Sequence, residues 1–335
     1  MTPDTSSQFI PGMGEVSAEA MRDFIDLQTG AGGLFHAGEN GVQRILTPLD
    51  RKVEFIVFAN HTLTYVASAM GHPALYPLPP ASFEAPADAV LMDLDGTSVH
   101  SEEFWVWAIE QSTARLLKKP RFELEQADAP FVSGHSVSEH LQHCIDKYAP
   151  GASLEAARTH YFDIVHYEMA EIMAGRGRPG AFRPSPDLRE FLLTLKGRGV
   201  RIGLVTSGLH EKAWPEIVSA FRDLDMGDPL DFYDAIISAG FALRKGQAGT
   251  LGELSPKPHP WLYAETARVG LDIAPAQRHR VIGMEDSSAG VVSVRLAGFA
   301  CIGVAGGNIA SGGTRPLLMA ETRGLLDALP IILGE

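Results

Sequence analysis

A chain of 335 residues is too long for one average domain, and its 45% hydrophobic content fits a globular protein with a sizeable core. A net charge of −13 argues against a broad nucleic-acid surface, so an anionic small ligand would need a local cluster of cations or a metal. Cys144 and Cys301 are far apart and lack metal-ligand spacing, so they read as core thiols in a reducing compartment.

The N-terminus has no basic region followed by an apolar run, so no signal peptide is expected. The most apolar window, Val53 to Met70, is interrupted by Asn60, His61 and Thr62 and is too short and polar to span a bilayer. The sequence therefore reads as soluble and cytoplasmic, with no membrane or nucleic-acid partner. Residues 1 to about 16 are polar, with Pro and Gly, and are expected to be loosely ordered. Ser17 is a candidate cap for a short helix, Ala18 to Leu27, that stops at Gly30. Val42 to Leu46 and Val53 to Ala59 look like strands joined by Pro48-Leu49-Asp50-Arg51, and Thr62 to Ala69 continues as a strand or a short helix. Pro73, Pro77, Pro79, Pro80 and Pro86 mark a linker ending near Asp88. No chemistry can be named in this region, where His36 and His61 stand isolated.

Ala89-Val90-Leu91-Met92 reads as a buried strand running into Asp93-Leu94-Asp95-Gly96-Thr97. Alternation along a strand places Asp93 and Asp95 near one side, where the strand ends. Two carboxylates so close repel each other unless a cation sits between them, and a hard divalent metal takes oxygen ligands. Gly96 lets the backbone turn sharply and Thr97 supplies a hydroxyl. Taken alone, the same five residues would also make an ordinary strand-to-helix turn.

The pattern then turns helical. Ser101 and Glu102 open a helix with Phe104, Trp107, Ala108 and Leu116 on its apolar face. Ser136 or Ser138 opens a second, with Val137, Leu141 and Ile145 on one side. Ser153 caps the longest, whose stripe runs Ala157, Tyr161, Ile164, Val165, Met169, Ile172 and Met173. Gly175 to Pro186, rich in Gly, Pro and Arg, is the return hinge of this helical insertion.

From Asp187 helices and strands alternate. The strands are Val200 to Val205, ending at Thr206-Ser207-Gly208; Ala235 to Ser238; Arg280 to Met284, ending at Glu285-Asp286; and Ala300 to Val304, before Gly306-Gly307. Helices are expected over Leu188 to Lys196, Trp214 to Phe221, Pro260 to Val269 and Ser288 to Ala297, with a long glycine-containing loop from Gly240 to Ser255. Such alternation implies a parallel sheet with helices on both faces, which binds ligands beyond the carboxyl ends of its strands. Asp93, Asp95, Thr206, Ser207, Glu285 and Asp286 all fall at such ends, and Ser255-Pro256-Lys257-Pro258 adds a lysine held between prolines. Several carboxylates, a hydroxyl and one ammonium describe a site for a magnesium ion and a phosphoryl group.

Four motifs carry a resemblance: Asp93-Leu94-Asp95-Gly96-Thr97, Val205-Thr206-Ser207-Gly208, Lys257-Pro258, and Gly283-Met284-Glu285-Asp286-Ser287-Ser288-Ala289-Gly290. In their order and spacing the chain resembles the haloacid dehalogenase-like hydrolase superfamily, in the branch of phosphoglycolate phosphatase and beta-phosphoglucomutase. The similarity spans about Ala89 to Val304 and leaves residues 1–85 outside. It implies an α/β fold with a doubly wound, Rossmann-like parallel sheet over residues 86–98 and 187–335, a helical cap over 99–186, and an extra N-terminal region. It also implies Mg2+ as cofactor and a small phosphorylated metabolite as substrate. Residue by residue, Asp93 would be the nucleophile that forms an aspartyl-phosphate, and Asp95 the acid and base that protonates the leaving alcohol and activates water. Ser207, or Thr206 if the register slips, would hold a phosphoryl oxygen, and Lys257 would stabilise the nucleophile and the transferring group. Asp286 would hold magnesium with Asp93 and the backbone carbonyl of Asp95, with Glu285 in or near the metal shell. Gly96, Thr97, Gly208 and His135 join Thr206 as substrate-binding positions.

The departures from the family pattern are informative. Asp95 stands where dehalogenases of this superfamily carry an aromatic residue and phosphonoacetaldehyde hydrolases a small one, which favours phosphate-ester chemistry. Ser133-Gly134-His135-Ser136-Val137-Ser138 resembles the family's Gly-x-Ser segment, but sugar phosphomutases tend to have an arginine where Val137 stands. Ser288 occupies a place where proline is common, and the loop Phe241 to Gly252 contains a rival lysine, Lys245. Specificity is expected from the cap, with His135, Trp105, Arg176, Arg178 and Arg183 as candidates. Two alternatives to the phosphatase stay open: a sugar phosphomutase on the same core, and a core whose N-terminal region pairs with a partner or assembles a homo-oligomer.

Overall fold

The computed structural model describes residues 7–67, 73–128, 137–252 and 254–335. Two compact units divide the chain: Met1–Ser98, Ser185–Ala213 and Met226–Glu335 form one, and Val99–Pro184 with Trp214–Asp225 form the other.

The first unit begins with a hairpin, β1 (Ser7–Ile10) and β2 (Gly14–Ser17). Ile10 and Val16 are buried, so this stretch is ordered rather than loose, because two apolar residues anchor an otherwise polar segment. The helix expected from Ala18 to Leu27 is only a single 3₁₀ turn, Ala20–Asp23, followed by strand β3 (Phe24–Leu27). Phe24 sets its ring edge-on to Phe55 at 5.8 Å, a long-range contact that overrides local helix preference. β3 joins β4 (Arg44–Pro48), β5 (Val53–Val57), β6 (Thr62–Val66) and β7 (Ala74–Pro77) in an antiparallel sheet ordered as in the chain. Residues 62–66 are thus strand and not helix, and the proline-rich linker contains the edge strand. One face of this sheet, with Leu46, Val53, Phe55, Val57 and Val66, is continuous with the apolar core beneath the larger sheet. The other, with Ile45 and Ile56, packs on Ala31 and Val42.

The larger sheet holds β8 (Ala89–Asp93), β9 (Arg201–Thr206), β10 (Ala235–Ser238), β11 (Phe241–Arg244), β12 (Gln247–Thr250), β13 (Val281–Glu285), β14 (Ala300–Val304) and β15 (Ala320–Thr322). Its order is β12-β11-β10-β9-β8-β13-β14-β15. β8, β9, β13 and β14 are buried along their whole length apart from half-buried Arg201, which explains the unbroken apolar runs in the sequence. The expected loop after Gly240 is instead an antiparallel hairpin, β11 and β12, that extends the sheet edge. Lys245-Gly246 is its two-residue turn, with Gly246 at φ 74°, the left-handed region glycine tolerates. The six parallel strands follow the order third, second, first, fourth, fifth, sixth, so the winding reverses at β8. Ligands in such sheets sit in the crevice at that reversal, beyond the strand ends.

The second unit is helical, with α1 (Glu102–Leu116), α2 (Val137–Tyr148) and α3 (Leu154–Met173), and a two-residue ribbon pairs Val99–His100 with Arg183–Pro184. Ser153 caps α3 by accepting from the Ala156 amide at 3.1 Å. Ala157, Tyr161, Ile164, Val165, Met169 and Ile172 are buried along one stripe, while Met173 is exposed and outside it. Asp128, 1% exposed, ties the preceding loop to α2. It accepts from His143 Nε2 at 2.7 Å, Lys147 Nζ at 2.8 Å, the Glu125 amide at 2.9 Å and the Tyr148 hydroxyl. Burial disfavours its charge, but the donors from Lys147, Tyr148 and His143 outweigh burial and hold its carboxyl well below 3.8. A depressed folded value means that the stabilisation is full above the unfolded carboxyl value and is lost as pH falls through the folded one. Asp128→Asn is therefore expected to lower the unfolding free energy of this unit by roughly 1.5–3 kcal/mol near neutral pH. The difference from wild type should shrink as the pH drops below the ordinary carboxyl value, and thermal melts across pH check both.

The first unit continues with α4 (Leu188–Gly197); α5 (His210–Asp223) begins in it, and α6 (Trp261–Glu265) and α7 (Ser288–Leu296) belong to it. Among the described residues, no helix is long and apolar enough to cross a membrane.

Candidate active site

β8 ends at Asp93, which is 4% exposed, and the chain then turns so that Asp95 is exposed. The two carboxylates thus differ in environment: one is desolvated at the sheet reversal, the other reaches water. Ser98 Oγ donates to the Asp93 carbonyl at 2.6 Å and holds the loop closed. Gly96 has φ 85°, and a Cβ there would fall 2.1 Å from Asp286 Oδ2, so only glycine admits the Asp286 carboxylate this close. Thr97 Oγ1 donates to Asp286 Oδ1 at 3.3 Å.

From the second strand, Thr206 is buried and Ser207 exposed. Thr206 Oγ1 accepts from the Gly208 amide at 2.9 Å and lies 3.4 Å from Asp95 Oδ2. Ser207 Oγ accepts from the Lys257 amide at 3.2 Å. Lys257, in the loop before α6, extends Nζ to Asp93 Oδ1 and to Glu285 Oε1, the latter at 2.6 Å. The rival Lys245 lies on the edge hairpin and pairs with Asp231.

β13 delivers Glu285 and Asp286. Glu285 is saturated with donors: Lys257 Nζ and the Tyr263 hydroxyl, 2.5 Å away, reach Oε1, and Ser287 Oγ reaches Oε2 at 2.9 Å. A Cβ on Gly290 would lie 1.9 Å from the Glu285 carboxyl, so the helix start is kept bare for it. Asp93, Glu285 and Asp286 each place one carboxylate oxygen within 4.8 Å of the others, and all three are buried. Among the described residues, the Lys257 ammonium is the one that faces them. Burial first, and then the Glu285 charge, holds Asp93 well above the usual carboxylate range, with Lys257 acting the other way. The same two causes push Asp286 up to about 7. Burial lowers the pKa of Lys257, but the Asp93 and Glu285 charges outweigh it and raise the value overall. An oxygen-rich pocket with more negative than positive charge fits a hard divalent cation such as magnesium.

The structure thus brings Asp93, Asp95, Gly96, Thr97, Thr206, Ser207, Gly208, Lys257, Glu285 and Asp286 into one constellation within one unit. His135 lies outside the described residues, with the rest of 129–136. In the helical unit Arg176 pairs with Glu171, Arg183 with Glu103, and Arg178 stacks over Trp107 at 4.7 Å, while Trp105 packs edge-on to Phe104. Sequence reasoning missed Tyr263 and Asn308, whose Oδ1 accepts from the Ser288 amide at 2.7 Å. A tyrosine on the helix after the lysine loop was the only sign of the first.

A haloacid dehalogenase-like hydrolase family model matches residues 87–298. Similar solved structures include a predicted phosphoglycolate phosphatase from Haemophilus somnus 129pt, 15% identical, covering 74% of this chain and 98% of that one with a TM-score of 0.56. A beta-phosphoglucomutase candidate from Thermotoga maritima is 19% identical, with 73% and 100% covered and a TM-score of 0.54. A haloacid dehalogenase family hydrolase from Deinococcus radiodurans R1, with bound phosphate and sodium, is 22% identical, with 74% and 97% covered and a TM-score of 0.50. At these identities the likeness is one of fold. No curated protein matches the chain. The family match over residues 87–298, together with a doubly wound sheet whose reversal carries the acid and lysine cluster, means that this chain belongs to the haloacid dehalogenase-like hydrolase family.

Proposed function

We propose that the protein is a magnesium-dependent phosphatase that hydrolyses a small phosphorylated metabolite through an aspartyl-phosphate on Asp93. The observation that carries this reading is the buried Asp93 carboxylate at the sheet reversal, with Lys257 on one of its oxygens and Glu285 and Asp286 beside it. Asp93 and Asp286 would hold magnesium with the Asp95 carbonyl, and Glu285, engaged by three side-chain donors, would position Lys257. Magnesium, when bound, neutralises the acids and polarises a phosphoryl oxygen.

The free oxygen of Asp93 attacks phosphorus, and the bond to the ester oxygen breaks. Asp95, exposed beside it, gives its proton to the departing alkoxide. It then takes a proton from water, which attacks the phosphorus of the intermediate, releases inorganic phosphate and frees Asp93. Lys257 and the Ser207 hydroxyl face the transferring oxygens as negative charge grows on them. A cytoplasmic location belongs to the same proposal, from the two buried free thiols.

Purified protein with magnesium is expected to release phosphate from an aryl phosphate, and a screen of phosphorylated metabolites ranked by kcat/KM names the substrate class. Chelation should abolish turnover and added magnesium should restore it; turnover indifferent to chelator would refute the metal requirement. A phosphomutase on this core would give an isomeric sugar phosphate in place of inorganic phosphate, so product analysis separates the two.

A further inference from the structure

The helix that follows the Glu285-Asp286 pair, α7, is buried on nearly every side: Ser288, Gly290 to Leu296 and the flanking Ala297 are all inaccessible. A helix buried on nearly every side needs cover on the face that a surface helix would turn to water, and its buried polar side chains need partners there. Here the N-terminal region supplies cover and hydrogen bonds. At the start of α7, Ser288 Oγ donates to Asp50 Oδ2 at 2.6 Å. At its end the buried Arg295 guanidinium donates to the Gly12 carbonyl at 2.6 Å and lies 3.4 Å from that of Pro79. Between them, Ser293 Oγ donates to the His259 carbonyl at 2.6 Å, and the His259 ring shares a 2.8 Å hydrogen bond with the Tyr76 hydroxyl on β7. Asp50 is itself fixed, its amide donating to the Gly312 carbonyl at 3.2 Å and its Oδ1 accepting from the Lys52 amide at 3.1 Å.

Two of these bonds land two residues beyond a site residue: Ser288 follows Asp286, and His259 follows Lys257. We infer that residues 7–67 and 73–86 are a clamp on the catalytic loops, in which Asp50 positions the Asp286 turn and Tyr76 positions the Lys257 loop. The clamp also accounts for the serine at position 288, where the family often has proline: a proline offers no hydroxyl to Asp50, and no amide to Asn308. The assignment gives the N-terminal region a role inside the enzyme rather than in holding a separate partner. It rests on the proposed reading of the site.

The test uses the full chain and reads magnesium binding by calorimetry without substrate, so it does not depend on which ester is hydrolysed. Asp50→Ala and Ser288→Ala are each expected to weaken magnesium binding about tenfold, the range for losing a partner that orients a metal ligand. The double variant should be no weaker than either single, because both remove one bond. Asp50→Asn keeps an acceptor oxygen and should stay within about twofold of wild type. Tyr76→Phe should lower kcat severalfold with magnesium affinity unchanged, since it acts on the lysine loop. If Asp50→Ala does not fold, Ser288→Ala removes the same bond from a smaller side chain and decides the matter. Wild-type magnesium affinity in Ser288→Ala overturns the clamp. A protein that binds magnesium with this pattern of variants yet hydrolyses no phosphate ester refutes the proposed reaction and leaves the clamp standing.

Discussion

Asp93→Asn is expected to reduce phosphate release on the order of 10⁴-fold or more, the scale seen when a covalent nucleophile is removed. The amide is nearly the same size and uncharged, so the fold is preserved while the attacking oxygen is lost. The same substitution should leave the metal-free protein at least as stable as wild type. Asp93 is buried with Glu285 and Asp286, and its charge is opposed by desolvation and by both neighbours, with Lys257 compensating. Removing one of three crowded carboxylates relieves that repulsion and leaves Lys257 paired with Glu285. Thermal melts in chelator alongside kinetics in magnesium check both halves. Loss of activity together with a large fall in melting temperature would instead mean that Asp93 is chiefly structural.

Lys257→Ala should fail in the opposite way, losing both activity and stability. Its side chain is 9% exposed and its ammonium bridges Asp93 and Glu285, whose side chains are 6% and 0% exposed. Without it three buried carboxylates face one another with no cation. Leaving a buried charge without its partner costs about 3–5 kcal/mol. Adding magnesium should recover part of that loss, because a bound cation stabilises the folded state in proportion to its occupancy. The contrast between the two variants, one inactive and stable, the other inactive and fragile, is specific to this charge arrangement. Urea titrations of both proteins with and without magnesium measure it.

The legible part of the molecule is the part whose determinants are local. β8, β9, β13 and β14 are buried along nearly all their length, so each appears in sequence as an unbroken apolar run, and the polar residues that stop β8, β9 and β13 are those of the site. Lys257 could be chosen over Lys245 because prolines and a following helix mark its loop, and the structure sets it on Asp93. What could not be read depends on contacts far apart in the chain. β3 looks helical until Phe24 meets Phe55, and β11 and β12 look like a loop because their residues alternate weakly around glycines. Asp50 is an ordinary turn residue until Ser288 reaches it. One sign of that last contact was present: Val291, Val292, Val294 and Leu296 spread apolar side chains around most of α7, so some other segment had to cover it.

The central claim, a phosphoryl group carried on Asp93, is tested most directly by acid-quenching the enzyme milliseconds after mixing with substrate and magnesium. Mass spectrometry of the digested protein is expected to find one added phosphoryl group on the peptide containing Asp93. That adduct should form before steady-state phosphate release and be absent from Asp93→Asn. Steady turnover by Asp93→Asn at the wild-type rate, with no adduct on this peptide in either protein, would contradict it.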